Sequence, residues 1–308
     1  ANTTAANNTA VGLDSLKANT TGSENTALGK ESLTANTTAN NNTAVAYRAL
    51  HSNTTGTLNA AFGTAALLSS TTGDNNTAIG ALSLDANTTA SNNTAVGYDS
   101  LGANTTGTAN TVIGKEAGGA NTTGSYNTFV GIAGFANTTA DNNTAVGYNS
   151  LASNTTGTAN TAVGDSSLKF VTTGSYNTAV GQRSLEDNTT ASNNVAVGWG
   201  SLTDNTTGTQ NTALGRSALA ANTTGNDCVA VGYLALATNT VDDNTAVGYY
   251  AMNANTTGRI NTAIGYNAMA ANTTGGDNTA CGGAALDANT TGSSNTALGY
   301  ATLSASTT

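Results

Sequence analysis

The sequence predicts an all-β fold, a parallel β-solenoid or β-roll of about eighteen 17-residue coils, filling residues 1–308 as a single repeat array. Three observations predict it. A stretch such as "NTAVGYDSLGANTTGTAN", Asn93 to Asn110, is followed by copies of itself from end to end. Apolar residues fall five apart within each copy and are interrupted by Gly, which matches no 3.6-residue helical stripe. Most copies then close on Asn-Thr-Thr-Gly or Asn-Thr-Thr-Ala, a turn composition.

Counting each copy from its first Asn, slot 1 falls at residues 8, 25, 42, 59, 76, 93, 110, 127, 143, 160, 177, 194, 211, 228, 244, 261, 278 and 295. The spacing is seventeen, with two steps of sixteen. Slot 1 is Asn in every copy but one, where Cys228 stands. Slots 2 to 4 are expected to form a short strand, with slot 4 apolar throughout, from Val11 through Phe62, Ile113 and Cys281 to Leu298. Slot 5 is Gly except at Ala46 and permits a sharp corner. Slots 6 to 9 are expected to form a second strand, and "ANTTG" turns the chain back. Slot 9 is Leu in fourteen copies, Met252, Met269 and Phe135 in three, and Gly118 in one, so slots 4 and 9 are the expected core. Slot 3 is Ala except at Val112 and Phe129, and slot 8 is small throughout. Stacking in register would produce Asn ladders, Thr ladders and a continuous Val/Leu core. The two short coils are expected to lose their residue around the second turn, near Ala136 and Val241.

Composition narrows the function. Charged residues make up 8% of the chain, and the net charge of −9 comes with only 8 Lys and Arg, scattered singly, so no basic stripe addresses nucleic acid. No apolar run approaches membrane-spanning length, so membrane insertion is not expected. His51, the one histidine, lies beside Ser52 and Asn53 without a recurring acid or nucleophile, so no catalytic residue is assigned and the chain is not read as an enzyme. Neither a metal nor another cofactor is expected, because Asp242 and Asp243 read as a solvated turn and the glycines recur singly without a following Lys and helix. "NTT" at Asn19, Asn53 and Asn104 matches the N-glycosylation acceptor pattern, but turn chemistry alone accounts for it. Cys228 and Cys281 are 53 residues apart, about 14 Å at three coils, and read as packing substitutions that do not bridge.

A slower rhythm lies above the repeat. The residue after slot 5 is Tyr47, Tyr98, Tyr148, Trp199, Tyr249 and Tyr300, an aromatic every 50 or 51 residues. "NTTA" keeps the same beat at Asn36, Asn87, Asn137 and Asn188. Amplification of a three-coil unit explains this, and Tyr233 and Tyr266 break the beat; the six aromatics remain candidates for surface contact, including with a glycan.

With "NTAVGY.SL..NTTG..NTA.G" laid out, all eighteen copies resemble the repeat region of bacterial and phage tail-fibre-domain proteins. More distantly they are similar to the head repeats of trimeric autotransporter adhesins. The resemblance implies a surface-exposed, extracellular or virion-borne fibre, commonly trimeric, whose repeats form a parallel β-roll. The absence of localised chemistry and the uniform stacking make a structural or adhesive rod the leading reading, with a cell-surface glycan or receptor as a candidate partner. An ice-binding solenoid is the alternative from another class, although adjacent residues such as Thr20 and Thr21 would point in opposite directions if extended. Self-association is expected in one of two forms. Both ends fall at the same point of the repeat, which predicts a longer array or a head-to-tail filament. If slot 4 points inward, the Ala of slot 3 points outward, where its small size implies a second layer packed on it and, with the resemblance, a homotrimer.

Overall fold

The computed structural model describes residues 4–307. Each copy of the repeat closes one coil, and each coil contributes one three-residue strand at slots 2 to 4. Among the described residues there is no helix. The fold is a parallel β-solenoid. The chain divides into two compact units, Ala1–Tyr148 with Ala152–Thr156, and Asn149–Leu151 with Gly157–Thr308. The first holds nine strands, from β1 (Thr9–Val11) to β9 (Thr144–Val146), and the second holds nine more, from β10 (Thr161–Val163) to β18 (Thr296–Leu298). Within each unit neighbouring strands pair in parallel and in register, as where Thr94, Ala95 and Val96 face Thr111, Val112 and Ile113.

The interior is not the expected one. Slot 3 is buried in every coil but the first, and slot 4 faces out: Ala27, Ala95, Ala162 and Ala263 are 0% exposed, whereas Leu28, Ile79 and Leu214 are 47%, 43% and 46% exposed. Slots 8 and 9 complete the apolar interior, for example with Ser100 and Leu101. The reason is volume. A coil of this size has room for one large side chain between its walls, and Leu at slot 9 takes it, so the facing strand position must be small. Coils 7 and 8 show the rule inverted. Phe129 occupies slot 3, fully buried, and Gly118 and Gly134 occupy the slot 9 positions facing it. A Cβ on Gly118 would stand 3.0 Å from the Phe129 ring, and one on Gly134 would stand 2.7 Å from it.

Slots 6 to 9 do not form a second strand either. Slots 7 and 9 take the left-handed conformation, as at Glu31 (φ 58) and Leu33 (φ 50), so the chain zigzags through a turn closed by the Ser32 N–H donating to the Gly29 carbonyl at 3.3 Å. The coil-to-coil ladder nevertheless continues, because the Leu33 N–H donates to the Ala49 carbonyl of the next coil. A left-handed Leu costs on the order of 1–2 kcal/mol, and it turns the side chain into the interior.

One of the two shortened coils loses its residue elsewhere than expected. In coil 8 the Gly118 N–H donates to the Ala133 carbonyl, the bond that slot 8 accepts in other coils, so Ala133 is slot 8 and Gly134 is slot 9. The missing residue is therefore before Ala133, not near Ala136, and Phe135 is 51% exposed instead of filling the core. In coil 14 the loss is at Val241, whose carbonyl takes the place of the slot 15 carbonyl.

Candidate functional site

Two Asn ladders line the interior of each unit. Within the first, the Asn42 N–H donates to Asn25 Oδ1 at 3.0 Å and the Asn59 N–H to Asn42 Oδ1 at 2.9 Å, while each Nδ2 donates to the slot 15 carbonyl of its own coil, as Asn42 does to Gly56. The second ladder is at slot 12, where Asn53 Nδ2 donates to Asn36 Oδ1 at 3.0 Å and also to the Gly56 carbonyl at 2.9 Å. One carbonyl thus accepts from both ladders, using both lone pairs. The acceptor-pattern residues Asn19, Asn53 and Asn104 belong to this buried second ladder. Thr at slot 13 forms a half-buried ladder outside them, with Thr54 Oγ1 donating to the Thr71 carbonyl at 3.0 Å.

The outward face of the strands is a second regular surface. Slot 2, which is Thr except at Ala60, Val195 and Val229, and the apolar slot 4 both point away from the interior. Rows of hydroxyl and apolar side chains therefore run side by side along each unit, about 4.8 Å apart from coil to coil and about 6.6 Å apart across the strand. Neither row contains a charged residue. The regularity of slot 2 is visible in the sequence, but which way it faces is not.

The six candidate aromatics, Tyr47, Tyr98, Tyr148, Trp199, Tyr249 and Tyr300, all stand at slot 6 directly after the corner and are between 43% and 84% exposed. In the first unit Tyr47 lies near Lys30 and Arg48 at 5.8 and 5.7 Å, and Arg48 is paired with Glu31, whose carboxyl it holds below the usual range. In the second unit the row is continuous from Gln182 to Tyr266. Trp199 Nε1 donates to Gln182 Oε1, Arg216 sits 4.9 Å from the Trp199 ring and 5.8 Å from the Tyr233 ring, and Tyr233, Tyr249 and Tyr266 stack at 5.2 and 5.5 Å. Tyr233, which breaks the beat in the sequence, connects Arg216 to Tyr249, and Tyr266 extends the stack by one coil, up to Gly283. Stacked rings occupy one another's faces and leave edges and hydroxyls outward.

A cleft of about 230 Å³ opens beside Trp199, lined by Arg183, Gly200, Thr203, Asp204 and Ser217 among others. Gly200 at slot 7 helps to leave it open, since a Cβ there would lie 3.3 Å from Thr203 Oγ1. Asp242 and Asp243 are not simply solvated: Arg259 reaches both, at 2.7 and 3.1 Å. Among the described residues no group of three or more His, Cys, Asp or Glu side chains could hold a metal ion. Cys228 lies inside, with Sγ donating to the Val241 carbonyl, and Cys281 lies on the outward slot 4; both are free thiols.

This geometry defines a class: a 17-residue-repeat β-solenoid with internal Asn ladders. No protein-family model matches the chain and no curated protein matches it.

Proposed function

We propose that the chain is a structural solenoid segment of an extracellular or virion-borne fibre, without catalytic work, that self-associates through the outward face of its strands. The observation that carries the reading is the apolar row at slot 4. Val, Ile, Leu and Phe side chains held at regular spacing in water form a continuous apolar surface of the kind that marks an interaction site. The Asn ladders support it, because each coil templates the next and makes the face regular. The resemblance of the repeat to tail-fibre and adhesin repeats agrees, with a homotrimer as the form of assembly that uses this face; a head-to-tail filament, the other form, would join through the coil ends instead. Sedimentation of the wild type beside Val96→Arg with Val146→Arg tests the proposal. The wild type is expected to run heavier than one chain, and the variant as a single folded chain. A wild type that stays a single chain at high concentration would overturn the self-association.

A second reading, ice binding, is favoured by one specific observation. The uncharged Thr and apolar rows at slots 2 and 4 offer a regular hydroxyl pattern, different from the Thr20–Thr21 pair that argues against it in the sequence. Thermal hysteresis in the wild type that disappears on Thr94→Lys with Thr111→Lys would place this reading first. Its absence at micromolar protein would remove it.

A further inference from the structure

The tyrosines of the second unit are distributed unevenly. Tyr249 touches three other phenol rings: Tyr250 at 4.6 Å, Tyr233 at 5.2 Å and Tyr266 at 5.5 Å between centroids. Tyr233 also meets Tyr250 at 5.6 Å. Among the described residues every contact between tyrosine rings falls within this group. Tyr249 and Tyr266 are 47% and 61% exposed, so a diffusing oxidant reaches them. Three coils thus bring four phenols to one spot, on a face that neither the Asn ladders nor the slot 2 and slot 4 rows use.

We propose that this cluster is an oxidative cross-linking site, in which Tyr249 couples to Tyr233 or Tyr266 of a neighbouring coil to form dityrosine. The co-reactant is a one-electron oxidant, such as the activated haem of a peroxidase. Each phenol gives one electron to the oxidant and its O–H proton to solvent, leaving a phenoxyl radical. The two radicals join by one carbon–carbon bond between ring positions ortho to oxygen. The proton on each joined carbon then leaves and the oxygen regains one, restoring both aromatic rings. In total two electrons and two protons depart, and one hydrogen peroxide accepts them to become two waters. Proximity selects the pair, because radicals held on adjacent coils meet before either finds a partner in solution. The new bond closes a covalent link between consecutive coils.

The test treats dilute whole chain with a haem peroxidase and hydrogen peroxide, then reads dityrosine fluorescence and maps the product by mass spectrometry after trypsin. In this region trypsin cuts only after Arg216 and Arg259. A Tyr249–Tyr266 link therefore joins peptides 217–259 and 260–308, whereas a Tyr233–Tyr249 link closes a loop within the first. The expected result is one of these two products in the wild type, lost in Tyr249→Phe, which keeps the ring and its packing, and retained in Tyr98→Phe. Absence of dityrosine in the wild type, a yield unchanged by Tyr249→Phe, links only between chains, or a link only between Tyr249 and Tyr250 would each overturn the proposal.

Discussion

Ala46 makes the corner that glycine makes in the other coils, at φ 110. That region favours glycine, and the space is tight as well: a Cβ on Gly97, at the same slot, would lie 2.4 Å from the Gly114 carbonyl oxygen. Ala46→Gly is therefore expected to raise stability by about 1 kcal/mol, since relief of strain exceeds the added freedom of the unfolded chain. Chemical denaturation midpoints check it. The two cysteines differ by slot in the same way. Burial pushes the Cys228 thiol up to about 11, with Asn244 and Asn239 hydrogen bonds acting against it. Its folded value lies above that of an unfolded thiol, about 8.5. The stability it contributes is therefore complete below about pH 8.5 and lost as pH rises toward 11. A thiol reagent at pH 8 is expected to label one cysteine of the native chain, Cys281, and both after unfolding; labelling of Cys228 in a folded Cys281→Ser variant at pH 8 would contradict this.

A single coil is the element of this fold, and its interior is a trade between slots 3 and 9. Phe129→Ala is expected to cost about 3–5 kcal/mol, because Gly118 and Gly134 leave nothing to fill the space. Gly118→Leu alone is expected to destabilise through overlap with the Phe129 ring. The double substitution is expected to recover part of the loss, since Ala at slot 3 and Leu at slot 9 is the pairing of most other coils. A double-mutant cycle on melting free energies measures the coupling, and simple additivity would refute the trade. The sequence already paired Val112 with Gly118, and Phe129 with a shortened coil containing Gly134, which is the pattern that identifies slot 3 as internal. The coil number, the first strand, the corner and the Asn and Thr ladders were legible because they repeat. The side of the strand was not, because Val at slot 4 is the more hydrophobic residue and hydrophobicity alone puts it inside. The second strand failed because nothing in Leu33 or Leu101 signals a left-handed backbone; that conformation is imposed by closing the coil. Of the candidate site, the aromatic positions were readable but the stacked cluster was not, because it needs the adjacency of coils 14, 15 and 16.

At the scale of the molecule, the consequence of which side faces out is where another surface can meet the protein. With slot 4 outward, apolar rows and Thr rows face solvent, and the Ala row that would have lined a trimer contact is spent on the interior. The proposed self-association, the ice-binding alternative and the regularity of the face all rest on that orientation. The most direct measurement is the melting temperature of Ala95→Arg beside that of its neighbour Val96→Arg. Ala95 is fully buried against the Leu row, so an arginine there must bury its charge or open the coil, and a large drop or failure to fold is expected. Val96 points outward, so at a dilution where both proteins are single chains its substitution is expected to shift the melting temperature by only about 1–2 °C, corresponding to about 0.5 kcal/mol. A tolerated arginine at Ala95 together with collapse at Val96 would show that the strand faces the other way.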